Sequence, residues 1–183
     1  MSREALREPS YIASLRAVDA FAHVLRCFES DVVAHVDGSN DPERDWQNVE
    51  AELILNDLQV VENRLARVEK DLRKIRNPDL PKEKELLERC QAALEAEQPL
   101  RELELDVADQ KRLRGFQFLS EKPMLLVLNL GEEQAPELKQ IEERYRSEWL
   151  ANKPGVSVVA VCGSVEAELA ELEPEESADL MET

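Results

Sequence analysis

The fold is decided by residues 122–133, KPMLLVLNLGEE, in which the apolar run Met124–Asn129 follows a proline and ends in a polar turn. A similar run, VSVVAV, occupies Val156–Val161. Apolar runs without polar alternation are typical of strands that are covered on both faces, as in parallel α/β sheets. A third run, VDAFAHVLRC over Val18–Cys27, predicts another strand. The sequence therefore predicts an α/β fold with three buried strands.

Helical patterns follow the second and third predicted strands. Residues Pro136–Leu150 begin with a proline, which suits the first position of a helix, and place Leu138, Ile141 and Tyr145 on one face. Residues Ser164–Leu172 predict a shorter helix. Strand, helix, strand and helix in succession form a βαβα unit, for which a right-handed crossover is expected.

About 95 residues of different character separate the first predicted strand from the second. A long helix is predicted from Pro42 to Arg76, in which apolar residues recur from Ile54 at alternating spacings of four and three, a heptad seam. The seam consists of Ile54, Leu58, Val61, Leu65, Val68, Leu72 and Ile75. A second helical run, Pro81–Glu97, follows after a short break, so the two helices are expected to form an antiparallel hairpin. A third helix is predicted over Val107–Ser120.

Composition narrows the class of protein. The chain has 183 residues, of which 43% are hydrophobic and 34% charged, so it can build a core and also carry long solvated helices. Its formal net charge of −17 repels phosphate backbones, and we therefore expect no DNA partner. Three widely spaced cysteines without a CxxC pair argue for a reducing compartment. No apolar run approaches the roughly 18 residues that a membrane span needs, which predicts a cytoplasmic protein without a membrane partner.

Three quoted segments resemble one known family. They are RAVDAFAHVLRCFE with HVDGSNDPERD (residues 16–29 and 35–45), KPMLLVLNLGEE (122–133) and VVAVCGSVEAELAEL (158–172). In order and spacing they resemble the Obg-like ATPases of the YchF type, which are TRAFAC-class P-loop NTPases. The resemblance implies the C-terminal part of a P-loop GTPase-like parallel sheet, interrupted by an antiparallel α-helical coiled-coil hairpin. It also implies ATP or GTP with Mg²⁺ as cofactors, ribosome association and a TGS domain.

The resemblance assigns a base-recognition role to the turn Asn129–Glu132. Ordinary GTPases carry N-K-x-D there, and the Asp carboxylate accepts two hydrogen bonds from guanine. Glu132 is one methylene longer than Asp, so guanine discrimination should weaken. The resemblance implies that the base meets Asn129, Leu130 and Glu132, bordered by the backbone of Cys162, Gly163 and Ser164. The alternative is that Asn-x-Gly-Glu is only a good turn after a strand.

Two motifs of P-loop NTPases do not occur in the sequence. There is no G-x-x-x-x-G-K-[ST], which cradles phosphates, and no D-x-x-G after a strand, which helps to hold Mg²⁺. We therefore expect a fragment of a ribosome-associated ATP/GTP-binding hydrolase that is inactive alone, with the Mg²⁺ ligands outside this chain. The alternative is a non-enzymatic coiled-coil module that binds the ribosome or protein partners.

Basic residues concentrate in one part of the predicted hairpin. Residues 64–76, RLARVEKDLRKIR, hold six basic residues against two acidic ones. The outer-face positions Arg67, Lys70, Arg73 and Lys74 are candidates for an RNA or ribosome contact, or simply a solvated face with i,i+4 ion pairs. The expected domains are a partial G-domain (1–40), the helical insertion (41–120), the rest of the G-domain (121–172) and a frayed acidic tail (173–183).

Overall fold

The computed structural model describes residues 8–29, 39–74 and 76–172. The helices are α1 (Pro9–Ala17), α2 (Pro42–Leu72), α3 (Asp79–Glu95), α4 (Val107–Leu113), α5 (Leu138–Trp149) and α6 (Gly163–Glu171). The strands are β1 (Phe21–Arg26), β2 (Met124–Asn129) and β3 (Val156–Val161). Of the described residues, those up to Phe21 and those from Trp46 to Pro123 form one compact unit, and the others form a second. None of the described helices is long and apolar enough to cross a membrane.

The three strands form one sheet in the order β1-β2-β3. Strands β2 and β3 run parallel, with Met124 opposite Val156 and Asn129 opposite Val161. At the end of β1, the N–H of Cys27 donates to the carbonyl of Asn129 at 2.9 Å. The α/β class with a parallel sheet is therefore confirmed.

One face of the sheet is well covered. Leu25, Leu126, Leu128 and Val158 are buried there, and α5 packs along β3 through the buried Ile141. The carboxylate of Glu142 on α5 accepts a hydrogen bond from the N–H of Ala160 at 3.1 Å, so it satisfies a donor on the edge strand. Burial and this edge contact together hold β3 in register beside β2.

The helical unit is built around one apolar cluster to which both α2 and α3 contribute. Of the predicted seam, Ile54, Val61, Leu65 and Val68 are buried and Leu58 and Leu72 partly buried, while Ile75 lies outside the described residues. Helix α3 supplies Leu80, Leu86, Leu87, Cys90 and Leu94. Arg64 and Glu83 join the two helices in an ion pair at 2.6 Å. The two helices therefore pack together, whereas coiled-coil geometry stays a prediction.

Several predicted boundaries were wrong. The strand predicted over Val18–Cys27 is shorter, and α1 was not predicted. Helix α2 ends at Leu72 rather than Arg76, and α3 begins two residues before Pro81, where the side chain of Asn77 accepts from the N–H of Asp79. The Asn77 side chain thus provides an acceptor for a backbone N–H in the first turn of α3, where no carbonyl of the helix is available.

The helix predicted over Val107–Ser120 also ends early. Helix α4 stops at Leu113, a 3₁₀ turn follows, and Gln117 takes a left-handed conformation with φ of 52°. Likewise, a 3₁₀ turn over Glu132–Glu137 precedes α5, so Pro136 lies inside that turn and not at the first helical position. The domain boundaries stay a prediction, and residues 173–183 lie outside the described residues.

Candidate functional site

Asn129 is the last residue of β2, the central strand, and its backbone is held on both sides. Its carbonyl accepts from the N–H of Cys27 beyond β1, and the next N–H, of Leu130, donates to the carbonyl of Val161 on β3 at 2.8 Å. The carboxyl ends of parallel strands meet at one edge of a sheet, which is where α/β proteins bind ligands. The fold therefore presents the Asn129 side chain at that edge on a rigid base.

The side-chain amide of Asn129 is oriented by the start of α6. Its Oδ1 accepts a hydrogen bond from the N–H of Gly163 at 3.0 Å. A Cβ at position 163 would lie 3.0 Å from this oxygen, so a side chain there would press on the bond. Because Oδ1 is occupied, the NH₂ group is left as the side of the amide that can donate to a ligand; among the described residues it has no acceptor.

The chain leaves β2 through a tight turn that carries Glu132. Gly131 donates its N–H to Oε1 of Gln134 at 3.1 Å, and its carbonyl accepts from the N–H of Gln134 at 3.0 Å. Glu132 begins the 3₁₀ turn that follows, and its side chain is exposed. The turn thus places a carboxylate three residues beyond Asn129, free to face a ligand.

A cavity of about 380 Å³ opens at this edge. It is lined by Phe28, Glu29, Asn129, Leu130, Gly131, Glu132, Glu133 and Ser164. Four of the six residues assigned from the sequence, Asn129, Leu130, Glu132 and Ser164, therefore lie around one cavity. Gly163 contacts Asn129 instead of lining the cavity, and the side chain of Cys162 is buried with its Sγ 3.4 Å from Oγ of Ser164.

Sequence reasoning missed Phe28, Glu29 and Glu133. Phe28 follows β1, and the Arg26 guanidinium lies 4.9 Å from the centre of its ring and donates to its carbonyl at 2.9 Å. The available signal was a Phe-Glu pair directly after a predicted strand, since all parallel strands end at the same edge. The aromatic ring adds a flat apolar wall to a cavity that otherwise offers mostly polar groups.

The cavity is acidic. Three carboxylates line it, those of Glu29, Glu132 and Glu133, and none of the eight lining residues is Lys or Arg. Such a site repels phosphate groups and suits a neutral ligand group that carries N–H donors. Burial raises the pKa of the neighbouring Cys27 thiol to about 12, with Asp45 adding to the effect, so this thiol stays protonated at neutral pH.

The described residues contain no clustered set of metal-ligand side chains. No group of three or more His, Cys, Asp or Glu side chains among them is arranged to hold a metal ion. The prediction that the Mg²⁺ ligands are not in this chain remains a prediction.

The four basic candidates lie elsewhere in the chain. Arg67 and Lys70 belong to the last turns of α2, and Arg73 and Lys74 to the turn that follows. All four side chains are exposed, and none forms an ion pair with a described residue. The i,i+4 pairs of the alternative interpretation are therefore not seen in the described part of the chain.

Comparison with known proteins gives the family context. The ribosome-binding ATPase YchF of Bacillus subtilis is 36% identical over 172 residues, covering 94% of this chain and 47% of that protein. The corresponding protein of Escherichia coli O157:H7 is 36% identical over 175 residues, covering 94% and 46%. Obg-like ATPase 1 of Oryza sativa subsp. indica is 32% identical over 169 residues, covering 92% and 43%. No protein-family model matches the chain.

A solved structure shares the fold. The YchF GTPase of Schizosaccharomyces pombe superposes with a TM-score of 0.79 at 24% identity, covering 95% of this chain and 48% of that one. The chain spans about half the length of the curated relatives that it matches. The resemblance recognised from the sequence is thereby confirmed: over nearly its whole length, this chain is similar to Obg-like ATPases of the YchF type.

Proposed function

We propose that this chain supplies the base-binding part of a ribosome-associated nucleoside triphosphate hydrolase of the YchF type. The observation that carries the proposal is the cavity at the carboxyl edge of the sheet, with Asn129 and Glu132 on its wall. Relatives of this chain are named as ribosome-binding ATPases and, in one solved structure, as a GTPase. The ligand is accordingly ATP or GTP, bound by its base, and the compartment is the cytoplasm.

Each wall of the cavity suits a different part of a purine. The Asn129 amide, oriented by Gly163, donates to an acceptor nitrogen of the ring, and the Glu132 carboxylate accepts from an exocyclic amine or a ring N–H. Phe28 provides an apolar contact for a ring face, whereas Leu130 borders the cavity but is only 2% exposed. Because Glu is longer than the Asp of ordinary GTPases, guanine loses its matched pair of bonds and adenine is tolerated.

Binding by this chain alone should be weak. A base contributes only part of the affinity of a nucleotide, since phosphate and metal contacts supply most of it. We expect a dissociation constant in the millimolar range, which corresponds to about 4 kcal/mol. Hydrolysis should not exceed that of a protein-free blank, because the sequence contains no G-x-x-x-x-G-K-[ST] loop to cradle the phosphates.

The test is an NMR titration of the ¹⁵N-labelled chain with adenosine, guanosine, Mg-ATP and Mg-GTP. Shifts confined to residues 28–29, 129–133 and 163–164 would support the proposal. Absence of shifts there up to 20-fold above the expected dissociation constant, about 20 mM, would refute it. Turnover of Mg-ATP above the blank would refute the expectation that the chain is inactive alone.

A second candidate function is favoured by the exposed basic residues at the end of α2. A non-enzymatic module that binds the ribosome, its RNA or a protein partner through Arg67, Lys70, Arg73 and Lys74 needs no phosphate loop. Exposed cations that pair with no residue in the described ranges are available to phosphate groups, even in a chain of net charge −17. This function and base binding reside in different segments, so the two can be tested separately.

A further inference from the structure

Gln134 forms hydrogen bonds with both the N–H and the carbonyl of Gly131. Its side-chain Oε1 accepts the Gly131 N–H at 3.1 Å, and its own N–H donates to the Gly131 carbonyl at 3.0 Å. A glutamine at the third position of a helical turn commonly reaches back in this way to the N–H that precedes the turn. The result is a closed two-bond clamp between Gly131 and Gln134.

The clamp acts where the support of the sheet ends. The N–H of Leu130 is the last in this segment to bond to a strand, through the carbonyl of Val161. Beyond Leu130, the backbone conformation of Gly131 determines the positions of the α-carbons of Glu132 and Glu133. Both carboxylates line the cavity, so the direction set at Gly131 determines which of them faces a bound base.

The neighbouring carboxylate depends on the same geometry. A Cβ at position 131 would lie 2.5 Å from Oε1 of Glu133, because the Glu133 side chain folds back over the Gly131 α-carbon. The backbone of Gly131 is extended, with φ of −78°, a conformation that any residue adopts, and the atoms near this Cβ position belong to the end of the flexible Glu133 side chain. Both glutamates are exposed, but the Glu133 side chain folds back over Gly131.

We infer that Gln134 is a positioning residue for base discrimination: its side-chain oxygen fixes Gly131 and thereby sets the direction of Glu132. This inference rests on the proposed base-binding function and deepens it, since it explains how a flexible, exposed glutamate can read a base. Gln134 does not itself line the cavity, and it acts through the turn. Without the acceptor, the Gly131 N–H loses its partner and Glu132 samples several directions.

The test compares three variants of the ¹⁵N-labelled chain by amide exchange and nucleoside titration. Gln134→Leu removes the acceptor, Gln134→Glu retains an acceptor oxygen at the same reach, and Gln140→Leu makes the first change at an exposed position on α5. In Gln134→Leu we expect exchange of the Gly131 amide to accelerate about tenfold, the effect of losing one hydrogen bond. Gln134→Glu should restore protection, and Gln140→Leu should leave it unchanged.

The nucleoside titration distinguishes a role of Gln134 in positioning Glu132 from a general contribution to nucleoside binding. If Gln134 positions Glu132, the ratio of the adenosine and guanosine dissociation constants moves towards one in Gln134→Leu and recovers in Gln134→Glu. Equal weakening of both nucleosides, or unchanged Gly131 exchange in Gln134→Leu, overturns the inference. If the unaltered chain binds neither nucleoside, the proposed function fails, whereas the Gly131 exchange rates still decide whether the clamp exists.

Discussion

The Asn129 side chain joins two parts of the candidate site through a single hydrogen bond to Gly163. Replacing it with alanine removes the ligand donor and leaves the Gly163 N–H without a partner. A lost hydrogen bond of this kind weakens binding by about five- to tenfold. We therefore expect Asn129→Ala to raise the adenosine dissociation constant by that factor in an NMR titration. Asn63→Ala, the same change at an exposed position of α2, is the control and should have no effect.

Asp57 on α2 is fully buried, and its carboxylate organises the segment before β2. It accepts from the N–H of Leu119 at 3.0 Å and of Ser120 at 2.7 Å, and it pairs with Arg16 at 3.3 Å. Asp57→Ala leaves these donors unmatched inside the protein, so we expect the free energy of unfolding to fall by about 2–4 kcal/mol. Urea denaturation followed by circular dichroism measures this; a loss under 1 kcal/mol would contradict the role.

The pH dependence of stability tests the same carboxyl group. Burial raises the pKa of Asp57 above its ordinary value of 3.8, and burial followed by the charge of Asp57 raises that of Glu121. A carboxyl with a raised pKa in the folded state contributes stability below the unfolded pKa and loses it as pH rises through the folded pKa. The free energy of unfolding of the native chain, relative to that of Asp57→Asn, should therefore fall as the pH rises above about 4 and then become constant. A relative stability that rises over this window would contradict the assignment.

Local sequence predicted some site residues and not others, for a physical reason. Asn129, Leu130 and Glu132 follow a strongly apolar strand, so their place at the edge of the sheet is readable from the chain itself. Phe28 lies about one hundred residues earlier and reaches the same cavity only because β1 pairs with β2. Gln134 accepts from the backbone N–H of Gly131 at the spacing of a capping box, but glycine stands where that pattern usually has Ser or Thr. Phe28 was therefore missed because its place in the site is set by strand pairing and not by its neighbours in sequence.

At the scale of helices and strands, apolar patterns identified the elements but not their ends. Strands β2 and β3 occupy the predicted residues because a continuous apolar run has clear limits. The helix predicted to reach Ser120 stops at Leu113, and beyond the left-handed Gln117 the N–H groups of Leu119 and Ser120 bond to the distant Asp57 instead of to carbonyls four residues back. A helical pattern in a local window carries no information about such a distant acceptor.

The seam of α2 gives a matched test at this scale. Leu65 is 8% exposed and packs in the cluster shared with α3, whereas Leu55 on the same helix is 56% exposed. Leu65→Ala should lower the free energy of unfolding by about 2–4 kcal/mol, because it opens a cavity in the core. Leu55→Ala should change it by less than about 1 kcal/mol, since little area is lost. Equal effects in urea denaturation would show that the seam does not stabilise the helical unit.

For the molecule as a whole, sequence and comparison agree on the family, and charge distribution raises a separate question. The chain carries a net charge of −17, yet six basic residues lie close together between positions 64 and 76. Exposed cations without partners release counterions when they meet phosphate, so a local cluster can bind RNA despite an unfavourable total charge. The strength of such binding depends on the cluster and on salt, and not on the net charge alone.

We therefore expect this chain to bind double-stranded or structured RNA in a salt-dependent manner. If Arg67, Lys70, Arg73 and Lys74 each contact one phosphate, affinity should fall on the order of a hundredfold between 50 and 200 mM salt. Reversing all four to Glu should abolish binding in a fluorescence anisotropy titration with a labelled ribosomal RNA hairpin. The control reverses the exposed residues Lys82, Lys111, Arg114 and Lys139, which changes the net charge equally but lies outside the cluster. Equal loss in both variants would show that total charge governs the interaction; binding that survives reversal of the four α2 residues would place the contact elsewhere.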